Sequence, residues 1–123
     1  MPRVSVLIPR FNCARFLGRA IDSALSQTFT DHEIIIVDDG SADGTKAVVD
    51  AYGERVRYFY QPNRGLSSAR NLAITHSSGE YLGYLDSDDK WYPTKLKKQV
   101  DFLDANPQCG MVHSDVSVID EDD

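Results

Sequence analysis

Long apolar runs are missing from this 123-residue chain. The longest, Ile34-Ile35-Ile36-Val37, is far short of the roughly 20 residues that a membrane-spanning helix needs, so no transmembrane segment is expected. The N-terminus, Met1-Pro2-Arg3-Val4, runs straight into a strand-like pattern and has no apolar core of a secretory signal. Cysteine is scarce. Cys13 and Cys109 lie too far apart for metal-ligand spacing and too few for a disulfide framework. Both read as small buried apolar residues, and a reducing, cytoplasmic setting fits, peripheral membrane attachment of a longer protein included. Basic charge is also short: 13 Lys and Arg against 19 Asp and Glu give a net −6. Much of that excess sits at the end, in Asp115, Asp120, Glu121, Asp122 and Asp123, and the rest of the chain is near neutral. That excludes the basic face a nucleic-acid partner requires; the acidic end reads as a solvated tail or a cut edge.

What is present is a core-forming composition, 41% apolar, arranged with two alternating periods. Val4 to Ile8 is a β-branched apolar strand that Pro9 should end. From Cys13 to Gln27, apolar residues recur at three and four, the period of an amphipathic helix. Strands are expected at Glu33–Val37, Val56–Tyr60 and Tyr81–Leu85. Helices are expected at Thr45–Tyr52, stopped by Gly53, at Ser67–Ser77, and from Pro93 to about Ala105. Met111 to Val118 reads as a further extended segment. Strand and helix alternate four times without internal repeat, so the fold class is α/β, a mostly parallel sheet flanked by helices. Such a sheet wants both faces covered, yet nothing follows Val116-Ser117-Val118-Ile119; the chain is expected to be the first half of a longer, truncated domain.

In open α/β sheets, ligands bind outside the carboxyl ends of the strands, near the point where strand order reverses. Polar residues collect at that edge: Asn12 after the first strand, Asp38 and Asp39 after the second, Asn63 and Arg64 after the third, Asp86, Asp88 and Asp89 after the fourth. Carboxylates crowded on one rim repel each other unless they share a cation. Asp-x-Asp after a strand suits Mg²⁺ or Mn²⁺, which take oxygen ligands and can bridge to a diphosphate. Single Asp residues in such loops are also ordinary turn formers and caps, and Asp43 reads as a cap of the second helix.

Other phosphate chemistries fail on spacing. The turn after the first strand, Pro9-Arg10-Phe11-Asn12-Cys13-Ala14, lacks the Gly-x-Gly-x-x-Gly of a nicotinamide-binding domain. Gly40 to Lys46 is one residue short of a phosphate loop, with Thr45 on the wrong side of Lys46. A haloacid-dehalogenase-type phosphatase would carry its Asp-x-Asp after the first strand rather than the fourth. His32, His76 and His113 stand in no Gly-x-Ser-x-Gly context and read as structural.

Five motifs in order resemble family 2 glycosyltransferases, which have the Rossmann-like GT-A fold: Val4 to Asn12; Ser26-Gln27-Thr28-Phe29; Val37-Asp38-Asp39-Gly40-Ser41 with Asp43-Gly44-Thr45; Gly65 with Ala69-Arg70-Asn71; and Gly79-Glu80-Tyr81 leading into Leu85-Asp86-Ser87-Asp88-Asp89. The resemblance covers essentially the whole chain. It implies that residues 1–123 are the nucleotide-diphosphate-sugar-binding half of a glycosyltransferase domain. The donor implied is a UDP-sugar, the reaction an inverting, metal-dependent transfer to the hydroxyl of a saccharide, lipid or protein acceptor. By that similarity the backbone at Pro9 and the ring of Phe11 contact the base, and Asp39 accepts from the ring N–H of uracil. Asp86 sits near the ribose, Asp88 ligates Mg²⁺ or Mn²⁺, and Arg70 supports the acidic loop or the phosphates.

Two positions depart from the family pattern. Phe11 stands where Tyr is usual, which removes a hydroxyl, and Arg10 replaces a small or aliphatic residue and reads as an exposed surface arginine. No catalytic base is expected within these residues, since the family places it in a later half of the domain. Two alternatives stay open: a non-catalytic nucleotide-binding or interaction module on the same fold, and a sugar nucleotidyltransferase, disfavoured by the missing Gly-rich loop. Apolar surface left by truncation would favour a homo-oligomer.

Overall fold

A computed structural model describes residues 1–119, and in them strands and helices alternate as expected. In chain order these are β1 (Val4–Arg10), α1 (Ala14–Leu25), β2 (His32–Asp39), α2 (Thr45–Asp50), β3 (Arg57–Gln61), α3 (Leu66–His76), β4 (Tyr81–Tyr84) and α4 (Lys95–Ala105), with a 3-10 turn at Gly53–Arg55. The four strands form one parallel sheet in the order β3-β2-β1-β4. Strand order therefore reverses between β1 and β4.

Burial follows strand position. Every residue of β1 is buried, as is β2 from Ile34 to Asp39, while the edge strands β3 and β4 alternate with exposed tyrosines. A strand covered on both faces is apolar through its middle, and these two are, from Val6 to Ile8 and from Ile34 to Val37, with polar residues only toward their ends. Val4, Val6, Ile8, Ile34 and Ile36 pack on one face against Leu17, Ala20, Ile21 and Ala24 of α1, Val49 of α2, and Leu96 and Val100 of α4. Leu7, Ile35 and Val37 pack on the other against Ala69 and Ala73 of α3. The small alanines let α3 lie close to the sheet. Each fully buried aliphatic side chain contributes about 1.5–3 kcal/mol.

Four expectations need correction. Pro9 does not end β1: the strand runs on to Arg10, and Pro9 pairs in register with Val37. The Leu85 N–H donates to the Leu7 carbonyl, so odd-numbered residues of β1 turn their backbone groups toward β4. β4 pairs only as far as Leu7, so the N–H that Pro9 lacks has no partner to miss. Arg10 is not exposed; its side chain is wholly buried. Cys109 is exposed and Cys13 only half-buried, so neither is a core residue. Residues 111–118 form no strand: the segment pairs with none of the four strands, and Val116 and Val118 stand in solvent. The acidic end, Asp120 to Asp123, lies outside the described residues.

The end of the sheet opposite the strand termini is tied by one carboxylate. Glu33 Oε1 accepts hydrogen bonds from Ser5 Oγ at 2.6 Å, the Ser78 N–H at 2.8 Å and Ser78 Oγ at 2.9 Å, and Oε2 accepts from Arg57 at 3.1 Å. Ser5 Oγ in turn accepts the Gly79 N–H at 2.8 Å. A Cβ on Gly79 would fall 2.6 Å from the Ser5 nitrogen, so only glycine lets the chain enter β4 this close to β1. Burial pushes the Glu33 carboxyl up, but the hydrogen bonds from Ser5, Ser78 and Arg57 outweigh it and leave it below the ordinary 4.5. A carboxyl depressed in the folded state stabilises fully above its unfolded value and loses that contribution as pH falls through its folded value. Stability should therefore decline below pH 4.5, and urea titrations of Glu33→Gln at pH 7 and pH 3 should differ less than those of the wild type. An equal pH dependence in both would show that Glu33 is not the group that titrates.

Candidate functional site

Four connections meet at the carboxyl edge of the sheet, and hydrogen bonds from side chain to backbone set the shape of each. Asp38 and Asp39 end β2 and point to opposite faces, as alternation requires. Asp39 is 3% exposed and collects three donors from the end of β3 and the loop after it: Gln61 Nε2 at 2.8 Å and the Arg64 N–H at 2.7 Å on Oδ1, and the Gly65 N–H at 2.9 Å on Oδ2. Burial raises its carboxyl, but the donors from Arg64, Gln61 and Gly65 win, and its pKa lies below 3.8. It is an anion held in a cradle. Gly65 has φ +97°. Gly40 has φ +80°, and a Cβ there would come 2.7 Å from the Asn63 nitrogen, so the loops after β2 and β3 lie in contact through a glycine.

On the other face, Asp38 accepts the Ser41 N–H at 2.9 Å and Tyr58 Oη at 2.7 Å. Ser41 Oγ accepts the Asn12 N–H at 2.9 Å, and Asn12 Oδ1 accepts the Ala42 N–H at 3.1 Å, with Asn12 itself left-handed at φ +52°. Asp43 was expected to cap α2. It accepts from Thr45 Oγ1, yet its Oδ2 also reaches across to the Ala14 N–H, 3.1 Å away, and so occupies the N-terminus of α1. The loops after β1 and β2 are thus laced together. Phe11 projects from this lacing, 45% exposed.

The connection after β4 is different. Asp86, Asp88 and Asp89 are all exposed and each offers a carboxylate oxygen within 4.8 Å of the others. Burial and the charges of Asp88 and Asp86 raise the Asp89 carboxyl, against the pull of Arg19. Arg70 of α3 stands 3.6 Å from Asp86. This is the donor set a hard divalent cation takes: clustered carboxylate oxygens, open to solvent, whose mutual repulsion the ion relieves. Open grooves lie on both sides. One, of 420 Å³, is lined by Ser67, Arg70, Asn71, Ile74 and Tyr84. The other, of 480 Å³, runs between Phe16 and Arg19 of α1, Asp88 and Asp89, and residues 116–119.

The acidic connection is pinned from behind by Gln27. Its Nε2 donates to the carbonyls of Ser23 (3.0 Å) and Tyr92 (2.7 Å), and its Oε1 accepts the Leu96 N–H at 2.9 Å. The residues singled out from the sequence therefore fall on one rim in two groups. Asp86, Asp88 and Arg70 come together; Pro9, Phe11 and Asp39 lie at the ends of β1 and β2, with Asp39 bonded into the loop after β3. Sequence reasoning missed Gln61 as a partner of Asp39 and the burial of Arg10. The alternation Val4, Val6, Ile8, Arg10 on one strand face was the available signal for the latter.

A family model described as Glycosyl transferase family 2 matches residues 5–122. The chain is 47% identical over 100 residues to chondroitin synthase of Pasteurella multocida, covering 79% of this chain and 10% of that protein. Among solved structures, it is similar to S. aureus TarS 1-349 in complex with UDP-GlcNAc, with TM-score 0.77 and 27% identity over 85% of this chain and 32% of that one. It is also similar to a mannosyltransferase from Pyrobaculum calidifontis in complex with GDP-Man and Mn²⁺, with TM-score 0.74 and 29% identity over 83% of this chain and 32% of that one. The chain spans between 10% and 38% of the length of such curated relatives.

The Asp39 cradle gives a direct test. In Asp39→Asn an amide must face a donor it cannot accept from, and we expect a loss of about 1–3 kcal/mol, seen as a lower urea midpoint at unchanged slope. An unchanged midpoint would mean that the three donors are satisfied without the carboxylate.

Proposed function

The chain belongs to glycosyl transferase family 2, and from that membership we propose that its 123 residues form the donor half of a GT-A glycosyltransferase domain, holding a nucleotide-diphosphate sugar. The observation that carries this reading is the solvent-open cluster of Asp86, Asp88 and Asp89 beside Arg70, next to the reversal of strand order. The UDP-GlcNAc held by one structural neighbour and the GDP-Man and Mn²⁺ held by another support it. The cation is Mg²⁺ or Mn²⁺; Asp88 would hold it, and it supplies neutralising charge to a departing nucleotide diphosphate.

The residues divide the remaining work. Phe11 offers its exposed ring, and Pro9 its backbone, to the base. Asp39 Oδ2 accepts one N–H in the cradle and keeps a lone pair for the imide N–H of uracil, a donor that cytosine lacks. Asp86 meets the ribose, and Arg70 holds Asp86 in place. In the whole enzyme an acceptor hydroxyl gives its proton to a carboxylate base outside these residues and attacks the anomeric carbon. The bond to the diphosphate oxygen breaks on the opposite face, and the configuration inverts. The acceptor is a saccharide, lipid or protein hydroxyl. A cytoplasmic or membrane-peripheral setting belongs to the same proposal; among the described residues no helix is long and apolar enough to cross a membrane.

Calorimetric titration with UDP, with GDP as control and with and without Mn²⁺, tests the site on the wild type and Asp88→Ala. We expect Mn²⁺-dependent UDP binding that Asp88→Ala abolishes. Binding indifferent to both metal and Asp88, or none at millimolar UDP, would overturn the donor-site reading in favour of an interaction module. Incubated with UDP-sugars and acceptors, the chain by itself should form no product; robust transfer would place a catalytic base among these residues.

A further inference from the structure

Arg10 is the largest fully buried side chain among the described residues, and the fold does not satisfy it. Nη2 lies 3.4 Å from Ser41 Oγ and 3.5 Å from Asp43 Oδ2, while Nε and Nη1 are buried without a hydrogen-bond partner among the described residues. A buried guanidinium with two unmatched donors and one long ion pair recovers little of its desolvation, and because Asp43 is 32% exposed and keeps its Ala14 and Thr45 donors, an apolar side chain of similar volume in place of Arg10 would strand no buried charge there. Stability therefore does not account for this residue. What it touches does. Ser41 and Asp43 are the two side chains that tie the loop after β2 to the loop after β1, through the Asn12 and Ala14 N–H groups. Arg10 lies beneath both ties, at the end of β1, one residue before Phe11.

We propose that Arg10 is a positioning residue of the donor-nucleotide site: its buried cation fixes Asp43 and Ser41, and through them sets the height of Phe11 and Asn12 over the end of β2, where the base docks. The inference rests on the nucleotide-site reading above, and it concerns a residue that touches no part of the ligand. Asp43 is the acidic half of the device, a resident anion at the N-terminus of α1 that Arg10 holds from below. Binding strength for the nucleotide is then bought with burial that gives the fold nothing.

The test separates positioning from packing. UDP affinity in the presence of Mn²⁺ and the thermal midpoint are measured on the wild-type chain, Arg10→Met, Arg10→Lys, Asp43→Asn and the double variant Arg10→Met/Asp43→Asn. We expect Arg10→Met to unfold at the wild-type temperature or above it while binding UDP about tenfold more weakly, with Asp43→Asn weakening binding similarly and the double variant no worse than Arg10→Met. Arg10→Lys, which keeps charge without the fork, should bind between the two. UDP affinity of Arg10→Met and Arg10→Lys within about twofold of a binding wild type overturns the inference and leaves the site reading intact. Parallel loss of stability and affinity in both also overturns it, since Arg10 is then a packing residue. Absence of UDP binding by the wild type itself overturns the site reading, and the inference with it.

Discussion

Burial of β1 and β2 on both faces is the constraint from which the rest of this molecule follows. Two adjacent strands with no solvent face can carry polar groups only at their ends, and any polar group there is half-desolvated and needs a partner. Both ends meet that demand with a carboxylate of β2. At the amino end Glu33 gathers Ser5, Ser78 and Arg57. At the carboxyl end Asp38 gathers Ser41 and Tyr58, and Asp39 gathers Gln61, Arg64 and Gly65. Glu33 alone joins segments from three places in the sequence, Asp38 and Asp39 together fasten the loops after β2 and β3, and the loops of the carboxyl edge are held by the same rule that closes the core.

The acidic rim then resolves into two kinds of carboxylate. Asp38, Asp39 and Asp43 are committed to N–H and O–H donors and shape the backbone. Asp86, Asp88 and Asp89 are exposed and crowded, and they face arginines, Asp86 meeting Arg70 at 3.6 Å and Asp89 feeling the charge of Arg19. The first kind spends most of its charge within the fold; the second leaves its charge open to solvent. Composition cannot make that distinction, since both kinds are Asp in a loop after a strand. It is made by whether a loop folds back over the carboxylate, as at Gly40 and Gly65, where positive φ brings N–H groups inward, or leaves it in water.

The architecture was legible in the sequence because period is a strong signal: an unbroken apolar run for a two-sided strand, threes and fours for a helix. The departures came where a local rule met a tertiary fact. Proline ends strands that are paired on both sides, but Pro9 faces the side on which β4 has already stopped. An arginine is usually a surface residue, but Arg10 continues the inward face of Val4, Val6 and Ile8. Val116 to Ile119 alternates as a strand does, yet alternation makes a strand only where a partner offers a ladder. Of the candidate site, the acidic connection and Arg70 were visible from motif order. Gln61, Ser41 and the reach of Asp43 to Ala14 were not, because hydrogen bonds across more than twenty residues leave no local pattern.

Gln27 shows why a motif far from the rim belongs to the site. Three carboxylates within 4.8 Å of each other repel by about 1 kcal/mol per pair in water, and more where water is partly excluded. Left alone, that repulsion would spread the connection after β4 and dissolve the cluster. Gln27 opposes it from the protein side with bonds to the Tyr92 carbonyl and the Leu96 N–H, each contributing about 1 kcal/mol net and more because the side chain is 3% exposed. The Trp91 N–H on Ser23 Oγ and the Thr28 N–H on the Pro93 carbonyl add to the same seam. The repulsion and the seam are of the same order, so the loop can hold its acids together without a cation. On the proposed reading, a cation neutralising them would find the ligands already gathered, and its binding energy would not be spent on folding the loop.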